Sequence, residues 1–279
     1  MGTGRTIVAS MVFVCTLASR ASAVVTYAQT GFNDQSGINS DATVGSPYAL
    51  NQTINGRANN EPGWNGPWVT LDGGAQGGDA FAVVKASSAL EGDGGLAVTV
   101  GTLGSTQFYR DFAAQRTDHF VVETRANFGS VGEFQGLVIQ DNYPLAANNS
   151  GPAWRLTGAV GSRHFEVYDG TYDGLGTWEN TGIAQTPGQW QTAVADINIV
   201  TQQWTFSVDG VMYNAPDPLG YQRAVAQVNA LYYFTTAAGS VDSIVVRDVP
   251  EPGALSVCAL TGGLISLARR RRHRHSLRA

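Results

Sequence analysis

The chain has 279 residues and a formal net charge of −5, with 34 glycines, 14% charged residues and a single lysine, Lys85. Residues 24–248 hold 9 basic and 21 acidic side chains, a net charge of −12, which excludes a nucleic-acid-binding face because phosphates require a basic one. Cys15 and Cys258 both fall in apolar terminal stretches, so the region between them has neither a disulfide framework nor a cysteine zinc site.

Residues 1–23 have the tripartite form of a secretion signal. Arg5 gives a positive start, residues 7–18 are apolar, and Ala21, Ser22 and Ala23 form a small-residue cleavage site. Val14 before Cys15 is too large for a lipidation site. From there the chain reads as short apolar runs broken by Gly, Asn, Asp and Ser, the pattern of strands joined by tight turns. Strands are expected at 24–30, 80–85, 96–100, 107–112, 120–127, 136–140, 154–157, 164–168, 191–199, 203–208, 211–213, 230–235 and 243–248. In 120–125 the alternation puts Val121, Glu123 and Arg125 on one face and Phe120, Val122 and Thr124 on the other. Residues 221–228 suit a short turn of helix. Asp209-Gly210, between 204–208 and 211–213, marks a hairpin. With no long linker, 24–248 reads as one domain.

The last thirty residues have three parts. Pro250, Glu251 and Pro252 come first, then an apolar stretch at 253–268, then Arg269, Arg270, Arg271 and Arg272 within a basic flank at 269–279. Sixteen helical residues reach about 24 Å, short of a hydrocarbon core of about 30 Å, and snorkelling arginines with some bilayer thinning close the gap. The positive-inside rule keeps the basic flank cytoplasmic and the domain outside. This order of parts resembles the PEP-CTERM sorting signal. The resemblance implies export, a membrane-held stage and processing by an exosortase-type enzyme near the Pro-Glu-Pro triplet. An ordinary C-terminal anchor with a basic flank is the alternative.

Within the body, residues 188–210 (GQWQTAVADINIVTQQWTFSVDG) resemble the central hairpin of concanavalin A-like (laminin G-like) jelly rolls. Residues 241–246 are similar to their last strand, which returns to pair near the first. Gly63-Trp64-Asn65-Gly66-Pro67-Trp68 looks like a segment common in exported proteins of this type. The resemblance implies an all-β, concanavalin A-like sandwich, flanked by a signal helix and a C-terminal transmembrane helix. Any large β-sandwich needs Trp-anchored hairpins, so a fibronectin-like or other jelly roll is the alternative.

Some proteins of that fold are glucanases, whose retaining chemistry needs two carboxylates about 5 Å apart. The laminarinase pattern E-x-D-x-x-E is absent from this sequence. Glu123 and Glu166, on different expected strands, are the pair that a dispersed hydrolase would use. His119 and His164 sit in no nucleophile motif. Calcium needs only loop oxygens, and jelly rolls often hold a structural ion where the chain ends meet, which makes Asp34 with Asp242 the weak candidates. Sugars need aromatic platforms beside polar groups. Asp141, Tyr143 and Trp154 in one segment, with Tyr172 and Trp178 in another, fit that need. The expectation is a non-catalytic cell-surface or extracellular-matrix protein with glycan-binding capacity and no nucleic-acid partner. A glycoside hydrolase and a purely structural matrix protein are the alternatives.

Overall fold

The computed structural model describes residues 26–30, 32, 54, 56, 61–72, 82–85, 95–98, 106–128, 134–139, 150–159, 161–171, 175–213, 217–236 and 239–249. The expected signal helix, the Pro-Glu-Pro tail and its arginines lie outside these residues. So do Asp34, Asp141, Tyr143 and Tyr172.

The strands are β1 (Thr26–Thr30), β2 (Trp64–Asp72), β3 (Ala82–Lys85), β4 (Gly95–Val98), β5 (Thr106–Arg116), β6 (His119–Phe128), β7 (Phe134–Ile139), β8 (Ser150–Thr157), β9 (His164–Gly170), β10 (Gly176–Ala184), β11 (Gln191–Asn198), β12 (Gln203–Val208), β13 (Val211–Met212), β14 (Leu219–Gly220), β15 (Val228–Thr235) and β16 (Gly239–Asp248). They form two antiparallel sheets. One runs β13-β12-β11-β6-β16-β4-β3, with β1 beside β16 and β14 beside β12; the other runs β10-β9-β8-β7-β15-β5-β2. The described residues are an all-β two-sheet sandwich.

The period-two pattern does the folding. Along β6, Phe120, Val122, Thr124, Ala126 and Phe128 are buried while the residues between them are partly exposed. The same alternation on β11 buries Ala193, Ala195 and Ile197. The second sheet answers with Phe108, Phe134, Trp154, Leu156, Phe165, Val167, Leu231 and Tyr233 in the same core. Rings meet across the gap, with Trp154 5.7 Å from Phe206. The Tyr233 hydroxyl and Thr124 Oγ1 bond at 2.7 Å, joining the sheets through buried polar groups.

Local chemistry sets the turns. Asp209 and Gly210 have φ of 50° and 78°, and Val208 pairs with Val211, which is the two-residue hairpin their sequence predicts. The expected helical turn at 221–228 is not formed. Tyr221, Val225 and Val228 are all buried, and the Gln202 side chain takes both backbone groups of Val225, donating to its carbonyl at 2.7 Å and accepting from its amide at 2.9 Å. Those groups are therefore lost to any helical ladder.

Two arginines tie the sandwich together. Arg110 is buried with Glu61 as an ion pair, and its guanidinium lies 5.4 Å from the Trp64 ring and 5.8 Å from Trp68. Arg116 bonds Asp248 and Asp118 and sits 4.1 Å over the Tyr27 ring. It thereby gathers β1, β5 and the end of β16 at one pole of the molecule.

Candidate functional site

The outward face of the seven-stranded sheet is where chemistry collects. Phe165 and Val167 point into the core, so His164, Glu166 and Tyr168, the alternate residues of β9, point out. By the same rule Trp154 and Leu156 face in and Arg155 faces out on β8. Register pairing then places one row across the sheet: Gln107, Phe234, Gln135, Arg155, Glu166 and Asn180. Neighbours in such a row stand about 4.8 Å apart.

Around Glu166 the row becomes a charged and aromatic cluster. Arg155 Nε and its terminal nitrogen both donate to Glu166 Oε2 at 2.7 Å. His164 Nε2 lies 3.0 Å from Glu166 Oε1. The Arg155 guanidinium stacks 4.2 Å from the Trp178 ring, and Tyr168 meets the same indole edge-on with centroids 5.4 Å apart. Burial acts to raise the Glu166 carboxyl, but bonds and charge from Arg155 and His164 outweigh it and hold it below the usual carboxylate range. Glu166 is thus ionised at neutral pH and serves as an acceptor, not as a proton donor. On the other side of β10, the Tyr213 hydroxyl donates to Glu179 Oε2 at 2.8 Å; burial and that carboxylate push its phenol up to about 12.

Several sequence expectations change here. Trp154 is 5% exposed and packs against Phe128, Phe134, Phe165 and Phe206, so its indole is part of the core and its outward neighbour Arg155 occupies the surface. Trp178, in no expected strand, is on β10, half-buried under Arg155. Glu123 and Glu166 do not converge. Glu123 is on the outer face of the nine-stranded sheet, paired with Arg247, and Glu166 is on the outer face of the other sheet. Packed sheets are about 10 Å apart, so carboxylates on their two outer faces stand beyond the 5–9.5 Å, roughly, that glycoside hydrolysis uses. Asp242 is buried at a bulge of β16. Among the described residues, no three His, Cys, Asp or Glu side chains gather as a metal site. The gap between the sheets beside Gly136, Trp154 and Tyr233 is a cavity of about 10 Å³, room for one water at most.

No protein-family profile matches the chain, and no curated protein matches it. Solved structures with a similar backbone arrangement include a sialidase, at 15% identity and a TM-score of 0.42, over 64% of this chain and 16% of that one. A carbohydrate esterase from the Shiga toxin-encoding bacteriophage phi24B is similar at 12% identity and 0.48, over 80% of this chain and 98% of that one. A non-specific endo-β-1,3(4)-glucanase is similar at 14% identity and 0.45, over 81% of this chain and 92% of that one. This chain spans only 16% of the sialidase.

Proposed function

We propose that this is an exported, non-catalytic surface protein that binds glycans through the outer face of its seven-stranded sheet. The observation that carries the reading is the Trp178–Arg155–Glu166–His164 cluster, continued across the sheet by Gln135, Phe234 and Gln107. A pyranose has apolar C–H faces and a rim of hydroxyls, and it is held where an aromatic ring lies beside fixed donors and acceptors. Here the ion pairs pre-orient the arginine and the carboxylate, so little side-chain freedom is lost on binding. The residues of the row are partly exposed and in register, which suits a chain of sugars laid across the strands. The separation of Glu123 from Glu166 speaks against the hydrolase alternative, whose two carboxylates must flank one bond. Export and anchoring rest on the sequence of residues 1–23 and 249–279, with the sorting tail read as PEP-CTERM-like, a substrate for an exosortase-type enzyme and a transient hold on the membrane.

The test is binding of the purified full chain to an array of extracellular polysaccharides. Trp178→Ala and Arg155→Ala are each expected to abolish binding while the melting temperature stays within a few degrees of the parent. Binding that survives both substitutions overturns the site, and reducing sugar released from any polysaccharide overturns the non-catalytic reading.

A further inference from the structure

The pole from which the chain leaves the sandwich carries a second inference. The β16 ladder runs on β6 without a break after Ser243, as far as Asp248 opposite Phe120. Beyond it the Val249 amide still donates to His119 O at 3.2 Å. The next residue in sequence, Pro250, has no N–H to offer a ladder. The apolar stretch starts at Gly253, four residues past Val249, a reach of at most about 14 Å. The headgroup layer on each side of a bilayer is itself roughly 5–8 Å deep.

Two turns stand at this pole. Asp118 lies between β5 and β6, and residues 199–202 join β11 to β12; Ile199 N donates to Asp118 O at 3.2 Å, which locks the turns together. The 199–202 turn is rigid. Asn198 Oδ1 accepts from Thr201 N at 3.0 Å, and Gln202 bonds Ile199 O and both backbone groups of Val225. At its tip Val200 is 78% exposed. On the strands and turns around it, Asp118 and Asp248 share Arg116, Asp196 lies beside His119 and Glu123 pairs with Arg247. This end therefore presents an apolar tip on a hydrogen-bonded turn, at the pole from which the chain runs on toward Gly253.

We propose that this pole is a membrane-contacting surface: the sandwich stands on the bilayer that holds residues 253–268, with Val200 seated among the headgroups. The inference rests on the anchor reading of the tail. It also orients the glycan face. Gln185 Nε2 donates to Phe128 O at the far end of β6, and Gln185 N donates to Arg163 O beside β9. The Arg155–Glu166 end of the second sheet thus points away from the membrane.

The experiment uses the full chain carrying Cys15→Ser and Cys258→Ser, with a fluorophore on Val200→Cys or, at the far pole, on exposed Gln189→Cys. Each is reconstituted in phosphatidylethanolamine–phosphatidylglycerol vesicles containing headgroup-proximal nitroxide lipid. Residue 200 is expected to show a blue shift and strong quenching, and residue 189 neither. Equal quenching at both sites in chain that floats with the vesicles overturns the orientation and leaves the anchor standing. Chain that fails to float overturns the anchor and the orientation with it.

Discussion

Glu166 shows how a single side chain couples site and stability. Its folded-state acidity is stronger than in the unfolded chain, so its ion pairs contribute stability above the unfolded value near about pH 4.3, and that contribution is lost as pH falls through the folded value. Glu166→Gln is expected to lower stability at pH 7 by about 1–2 kcal/mol, with the difference vanishing in acid, as thermal melts at pH 7 and pH 3 will show. Asp111 has the opposite sign. Burial raises its carboxyl, and its Oδ1 is buried without a hydrogen-bond partner. Its ionised form therefore opposes folding, and stability is lost as pH rises through the folded value. Asp111→Asn should raise the melting temperature at pH 7, by about 2–4 °C if it recovers about 1 kcal/mol, and should change nothing below the unfolded value of about 3.9. A drop at pH 7 would contradict this account. At this scale the sequence was one residue from the site. Trp154 and Arg155 are neighbours on a strand, so period two sends them to opposite faces, and the larger aromatic drew attention to the core side.

Among the elements, the legible strands were those with clean alternation or a strong turn. β6, β11 and the β12–β13 hairpin match their expected spans closely. β2 was missed because Gly66 and Pro67 interrupt it; register slips between Asn65 and Val69, and a bulge absorbs what a regular ladder would reject. β10 was missed because it is an edge strand with little to bury, exposed or half-exposed along its whole length. Its far end is turned by local bonds, Gly182 N donating to Asn180 Oδ1 at 2.8 Å and Ile183 N to Thr181 Oγ1 at 3.1 Å, which blunts the edge against pairing with another chain. Strand β7 has a tighter constraint. A Cβ at Gly136 would lie 2.8 Å from the Trp154 indole, so Gly136→Ala should cost about 1–3 kcal/mol, read as a fall in the urea midpoint. No loss would mean that the indole has room to shift.

For the whole molecule, two-sheet architecture was readable because alternation dictates it, whereas the pairing of distant strands was not. Nothing local in Arg116 announces that it will bind Asp248, 132 residues away. That clamp holds the first and last described strands, and Arg116→Ala is expected to speed hydrogen exchange at the β1–β16 amides while β11 and β12 keep their protection. Uniform acceleration across both sheets would show instead that the clamp supports the entire sandwich.

The β16–β6 ladder has a mechanical consequence. On the proposed reading, a tether leaving at Asp248 and a polymer gripped near Arg155 would pull on opposite poles, and tension would run along the strands. Hydrogen bonds loaded that way share the force as a set in shear, whereas a pull from one pole would open them singly like a zip. A domain so loaded resists drag from flowing liquid without needing a disulfide.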